Sequence, residues 1–294
     1  MRVVTFNVLH GMSLRDGRVD GDRYAAAVRA LDADVLGLQE VDLAQPRSGH
    51  LDLTGLAAGA LGAGEARFVA ALDGTPGEHF IPSVDGDGAR PGPRFGVALV
   101  SRLPVRSWHI TRLRAAPVRA PVFVPRPTGP REERGEAESR SPGDRRGAAE
   151  SGSPGDRQLG PLLLLRDEPR VLLAAVLDGP SGPVTVATTH LSFVPGWNVG
   201  QLRRVVRALR ALPGPRLLLG DLNMPGPLAR VVSGWRSLAR VPTYPTGRPR
   251  VQLDHVLTDA AGAWRVRAVD APESAVSDHR PLVLDLEHRP VSGG

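Results

Sequence analysis

The sequence predicts an α/β or α+β protein built on one large sheet or two. Three observations lead there. Short apolar runs recur along the 294 residues. Stretches with apolar residues at helical spacing separate some of them. The runs themselves are almost continuous in Val, Leu and Ala, which marks strands covered on both faces.

Taken in order, Val3 to Phe6 is the first expected strand, and Tyr24, Ala27, Val28 and Leu31 follow at helical spacing. Val35 to Leu38 and Val97 to Val100 are further strands. After them come Val171 to Leu177, Val184 to Thr188, Leu217 to Leu219, Val251 to Leu257 and Leu282 to Leu286. One helix is expected where Val199, Leu202, Val205, Val206 and Leu209 share a face, with Arg203, Arg204, Arg207 and Arg210 on the solvated side. Asn198 is its expected N-cap.

Composition narrows the function. There is no cysteine, so a disulfide scaffold, a thiolate metal site and a cysteine nucleophile are excluded. No run reaches the roughly 18–20 apolar residues that a membrane span needs. The N-terminus has no basic segment followed by a long apolar one, so a cytoplasmic protein is expected. All 37 basic residues are arginine, and the net charge is +6. GC-rich coding explains most of that bias; the charge itself suits an anionic substrate.

Residues 125–160 stand apart. They are nearly devoid of large apolar side chains, and Glu138-Ser139-Arg140-Ser141-Pro142-Gly143-Asp144-Arg145 recurs closely as Glu150-Ser151-Gly152-Ser153-Pro154-Gly155-Asp156-Arg157. Such a segment cannot offset its ordering entropy by burial. It is expected to be a disordered, low-complexity insertion within a single domain spanning residues 1–294.

The polar residues that end the apolar runs carry the functional signal. The first strand ends in Asn7, the second in Gln39 and Glu40, a later one in His190, and Leu217-Leu218-Leu219-Gly220 in Asp221, with Asn223 two residues on. In open α/β sheets, ligand sites form at the carboxyl ends of strands. A single such residue only opens a loop; four drawn from Asn, Glu, His and Asp are hard to assign to chance. Asp254 lies inside an apolar run, where a lone carboxylate is costly. Ser277-Asp278-His279-Arg280-Pro281 precedes the last strand. For Asp278 and His279 to meet Glu40 and Asp221, that strand must run antiparallel to theirs, so the sheet system must be mixed.

These motifs resemble those of the endonuclease/exonuclease/phosphatase superfamily. The matching text is Thr5-Phe6-Asn7, Leu38-Gln39-Glu40-Val41, Thr189-His190-Leu191, Gly220-Asp221-Leu222-Asn223, Leu253-Asp254-His255-Val256 and Ser277-Asp278-His279-Arg280-Pro281, in the family's order. The resemblance implies a four-layer sandwich, two packed mixed β-sheets flanked by helices. It implies Mg²⁺ or Mn²⁺, with Glu40 as principal ligand, Asn7 beside it, and Asp254 as a further metal-site or supporting carboxylate. By the same resemblance, Asp221 activates water, Asn223 contacts the phosphate or that water, and His190 and His279 hydrogen-bond the phosphate oxygens. Asp278 is expected to orient His279. Tyr244 and Arg248, just before the Asp254 strand, are expected to border the substrate. His10, His50, His79, His109 and His288 lack matching neighbours and read as loop or surface residues.

The resemblance implies a metal-dependent phosphodiesterase acting on nucleic acid, as an endo- or exonuclease. The alternative is a phosphoesterase for a small or lipid-linked phosphate, such as an inositol phosphate or phospholipid headgroup. A binding module without catalysis fits less well, because every expected catalytic position is filled. No obligate protein partner is indicated.

Overall fold

Runs of Val and Leu too apolar for water must be covered on both faces, and two sheets laid face to face achieve this. The computed structural model describes residues 1–84, 91–123, 162–179 and 181–289. Its strands are β1 (Arg2–Asn7), β2 (Val35–Leu43), β3 (Glu65–Gly74), β4 (Phe80–Pro82), β5 (Arg94–Ser101), β6 (Val105–Leu113), β7 (Arg119–Phe123), β8 (Leu162–Arg166), β9 (Arg170–Gly179), β10 (Gly182–His190), β11 (Arg216–Asp221), β12 (Arg236–Ser237), β13 (Asp254–Thr258), β14 (Trp264–Asp270) and β15 (Leu282–His288). The helices are α1 (Gly21–Leu31), α2 (Leu53–Leu61), α3 (Trp197–Arg210) and α4 (Gly226–Ser233).

The first sheet has the order β14-β15-β1-β2-β5-β3-β4, and the second β12-β13-β11-β10-β9-β6. Val3, Leu99 and Leu284 of the first join Leu173, Val186 and Leu219 of the second in one buried cluster. On the outer face of the first sheet, Val4 and Leu36 pack with Tyr24 and Val28 of α1 and Leu53 of α2. On the outer face of the second, Leu218 packs with Leu202, Val205 and Leu209 of α3 and Ala229 of α4. Helix, sheet, sheet and helix make the four expected layers. Each Leu or Val so buried contributes about 1.5–3 kcal/mol.

Capping sets the helix starts. The Asp20 side chain accepts from the Arg23 amide ahead of α1, and Asp52 accepts from Thr54 and Gly55 ahead of α2. The expectation for α3 is corrected. Gly196 occupies the cap position, and Asn198 lies inside the helix, buried, where its Nδ2 donates to the Asn223 carbonyl at 2.8 Å. A glycine at φ +82° makes the turn into α3 that an asparagine cap would otherwise have made.

Strand direction positions the site. β1 and β2 are parallel, as are β10 and β11. β15 runs antiparallel to β1, and β13 antiparallel to β11. The sheets are therefore mixed, and the starts of β13 and β15 arrive at the edge where β1, β10 and β11 end. Register does the rest: His190 lies opposite Asp221, and Asp221 opposite Asp254.

β7 and β8 form a separate ribbon that pairs Arg119 with Arg166 and Phe123 with Leu162. The expected insertion at 125–160 lies outside the described residues. It joins the chain at the end of this ribbon. No described helix is long and apolar enough to cross a membrane.

Candidate active site

The two sheets are joined by polar contacts at their common edge. Gln39 on β2 donates to Thr188 of β10 at 2.8 Å, and Asn7 at the end of β1 donates to Asp221 at the end of β11 at 3.1 Å. Asn7 Nδ2 also donates to Glu40 at 2.9 Å, and its Oδ1 accepts from the Leu9 amide. One side chain thus holds a carboxylate from each sheet.

Glu40 reaches this position through a bulge. β2 pairs with β5 as Leu38 with Ala98 and then Val41 with Gly96, so Gln39 and Glu40 together face one residue. Glu40 sits there at φ +56°. A non-glycine residue in that region costs on the order of 1–3 kcal/mol, and such strain gathers at functional sites. Gly220 serves Asp221 similarly. At φ +143°, a Cβ there would lie 2.0 Å from the Thr189 carbonyl oxygen, so only glycine lets β10 approach.

Asp221 is the centre of the group. Its Oδ1 accepts from the Asn223 amide at 2.9 Å. Its Oδ2 lies 3.5 Å from His190 Nε2 and 3.7 Å from His279 Nε2. Asn223, at φ +49°, directs its Nδ2 to the Leu191 carbonyl and to His190 Nε2, at 2.9 and 3.0 Å. His279 Nδ1 is bonded to Asp254 Oδ2 at 2.8 Å.

This last contact changes two expectations. Asp254, fully buried, is the partner of His279, a role expected of Asp278. Adjacent side chains diverge from the backbone, which turns Asp278 away from His279 Nδ1, whereas Asp254 reaches that nitrogen from β13 of the facing sheet. Asp278 instead lines the cleft. Asp254 does not; its second oxygen, Oδ1, is buried without a hydrogen-bond partner among the described residues.

The cleft encloses about 1170 Å³. Glu40, His190, Asp221, Asn223, Asp278, His279 and Tyr244 line one end of it. The Tyr244 ring lies 4.9 Å from that of His279. Arg248 is exposed and is not among the lining residues. Sequence reasoning missed part of the wall. His10, assigned to a loop surface, borders the cleft at φ +46°, as do His79, Arg47, Glu168 and Arg170. Arginine is so abundant in this chain that no single one stood out. His255, on the far side of β13, is buried against the Met224 carbonyl.

Burial and charge set the protonation. Desolvation raises Asp221, against the pull of His279, to about 6, and burial raises Asp278 to about 6 as well. Burial also raises Glu40, opposed by the Asn7 hydrogen bond and reinforced by the charges of Asp221 and Glu168. Burial alone would depress His279. The charge and hydrogen bond of Asp254, with Asp221 and Asp278, outweigh it and hold His279 at about 10. His190 moves the other way: burial, with Arg170 and His279 nearby, takes it well below the ordinary value.

Carboxylates crowded into a site that desolvates them suit a hard divalent cation, which prefers oxygen donors. The free face of Glu40, beside Asn7, supplies such donors on the cleft wall. Asp221, Asp254 and His279 also bring ligand atoms within 4.8 Å of one another, although His279 Nδ1 and Asp254 are already bonded together.

A sequence profile of the Endonuclease/Exonuclease/phosphatase family matches residues 4–279. The chain belongs to the endonuclease/exonuclease/phosphatase family. Solved structures share its fold. An endonuclease/exonuclease/phosphatase from Beutenbergia cavernae aligns at 24% identity and TM-score 0.58, over 98% of this chain and 71% of that one. The human nocturnin catalytic domain aligns at 19% identity and TM-score 0.57, over 98% and 93%. Sphingomyelinase C from Streptomyces griseocarneus aligns at 16% and 0.55, over 97% and 98%. No curated protein matches the chain. Family membership makes this a hydrolase of the phosphoesterase and nuclease class, and the cluster around Asp221 fits the divalent-metal use common in that class.

Proposed function

We propose that the cleft hydrolyses phosphodiester bonds of nucleic acid with Mg²⁺ or Mn²⁺ bound. The observation that supports this most is the meeting of Asp221 with the Asp254–His279 pair and the Asn7–Glu40 pair at one end of one cleft. Glu40 would hold the cation, with Asn7 fixing its carboxylate. A cation held there would supply charge neutralisation at the phosphate and stabilisation of the leaving oxygen.

The remaining steps belong to the chain. Asp221, held by the Asn223 amide and Asn7, takes the proton of the attacking water. His279 is kept cationic by Asp254 and donates from Nε2 to a non-bridging phosphate oxygen. His190 stays neutral and its Nε2 accepts from Asn223 Nδ2, in place of the donation to phosphate expected of His190 and the phosphate or water contact expected of Asn223. Asp278 adds negative charge on the cleft wall and, with Asp254, keeps His279 charged. Tyr244 packs beside His279 and limits its motion.

The test is an assay of purified protein against plasmid DNA, single-stranded DNA, bis(p-nitrophenyl) phosphate, a phosphomonoester and inositol phosphates. Cleavage of DNA that EDTA abolishes and Mg²⁺ or Mn²⁺ restores is expected. Full activity in excess EDTA overturns the metal role. Turnover of inositol phosphates or headgroup esters alone overturns the nucleic-acid substrate.

A further inference from the structure

Where the cleft wall reaches β4, three strands from the β2 that carries Glu40, Arg119 of β7 and Arg166 of β8 are directly opposite each other across the ribbon. Opposed side chains in such a pair have Cβ atoms about 4.5–5.5 Å apart, and like charges there repel. Neither guanidinium has a carboxylate partner among the described residues. Arg166 lies over the Phe80 ring, 5.8 Å from its centroid, which fixes its direction without neutralising it.

A further cation of the cleft wall, Arg170, lies nearer the catalytic end, where its charge helps depress His190. Arg170 is 5% exposed, and its Nε is buried with no hydrogen-bond partner among the described residues. Its contacts to Asp167 and Glu168 are long, at 3.6 and 3.9 Å. A buried guanidinium donor left unpaired is costly unless a ligand completes it. Arg47, by contrast, is satisfied by two hydrogen bonds to buried Asp42. Asp73 and Glu78 also border the cleft, so its wall is not uniformly basic.

We infer that Arg119 and Arg166 form a subsite for a second phosphate of the substrate, distinct from the phosphate that is cleaved. A planar fork of donors binds phosphate bidentately, and two opposed forks relieve their repulsion by sharing one anion. The substrate class is therefore a phosphodiester with a further phosphate within the cleft's span. A bare diester satisfies only the carboxylate end. This rests on the phosphodiesterase reading above.

The experiment compares the dinucleotide TpT, its 5′-phosphorylated form pTpT, and the trinucleotide TpTpT, with Mn²⁺ supplied. TpT offers no second phosphate, pTpT offers a terminal monoester, and TpTpT an internal diester. The native protein should prefer pTpT or TpTpT over TpT in kcat/KM, and the preferred form identifies which phosphate is bound. In R119A/R166A that preference ratio should fall about 10–100-fold, the worth of one or two charge-assisted hydrogen bonds. Because the reading is a ratio, a general loss of activity does not mimic it. A ratio near one in the native protein, or one unchanged in the variant, overturns the subsite.

A calorimetric titration of the metal-free protein with pyrophosphate separates the two readings. Should no phosphodiester be cleaved, the phosphodiesterase reading fails. Saturable binding lost in R119A/R166A would then still support the subsite, and no binding to the native protein would overturn it.

Discussion

Two histidines of equal burial face the same Asp221 oxygen, yet their surroundings drive them to opposite charge states. His190, at the end of β10, has Arg170 nearby, accepts from Asn223, and leaves its Nδ1 without a hydrogen-bond partner among the described residues. His279, ahead of β15, has Asp254 bonded to Nδ1 and Asp278 and Asp221 close by. One is a neutral imidazole and the other a cation. The difference teaches that histidine's role here is set by what the neighbouring strand presents, not by the residue type or its depth.

Removing the cation should cost most. His279→Ala is expected to lower kcat by on the order of 10²–10⁴ with little change in KM, since its interaction strengthens as charge develops. Asp254→Asn tests why. The asparagine cannot hold the imidazolium, so His279 should titrate nearer its ordinary value, and activity should fall as pH rises through neutrality. Asp278→Asn should be milder, because it leaves the hydrogen bond to His279 intact. A kcat loss in Asp278→Asn equal to that in Asp254→Asn would break the contrast.

Next is Glu40. Partners that only support a metal ligand are worth about 10–100-fold in affinity, so losing the ligand itself should raise the cation concentration for half-maximal activity at least about tenfold. His190→Ala should lower turnover without moving that requirement. Titration of Mn²⁺ against both variants is the check.

A smaller effect should appear in stability. The folded value of His279 is about 10, above the ordinary 6.5. Its stabilisation is therefore complete below pH 6.5 and is lost as pH rises toward 10. The Tm of the metal-free protein should fall across that window, and the fall should shrink in His279→Gln. His190 has the opposite sign: its depressed value favours the fold above pH 6.5 and lowers stability below it. An undiminished fall in His279→Gln would show that Asp254 does not hold a cation.

The sequence made the layers and much of the centre legible, for a physical reason. A buried strand must be apolar, so a polar residue at its end is conspicuous, and Asn7, His190 and Asp221 stand out in this way. Pairing across the fold was not legible. Asp254 and His279 are 25 residues apart, and only the antiparallel register of β13 against β11 shows that Asp254, not Asp278, reaches the ring. The bulge that turns Glu40 outward depends on a positive φ that no residue type announces. Arg119, Arg166 and Arg170 were invisible among 37 arginines: the first two are distinguished by having no carboxylate partner among the described residues, the third by an Nε with no hydrogen-bond partner there.

The smallest effect should separate the two residues that the sequence placed at the substrate border. Tyr244 and Arg248 are four positions apart, but only Tyr244 lines the cleft. Its ring touches that of His279, and burial together with the charges of Asp278, Asp221 and Glu40 raises its hydroxyl above the ordinary value. It is therefore a neutral wedge against the imidazolium at any working pH. Tyr244→Ala should loosen His279 and lower kcat, whereas Tyr244→Phe, which keeps the ring, should recover most of it. Arg248 is solvent-exposed and away from the cleft. Exposed substitutions without special contacts stay within about 0.5 kcal/mol, so Arg248→Ala should change kcat/KM on a short diester by no more than about twofold. A long duplex is the sharper probe: a loss there, absent on the dinucleotide and removed by added salt, would place Arg248 on the path of a phosphate backbone beyond the cleft. No loss on either substrate leaves Tyr244 as the border residue and confines recognition to the cleft.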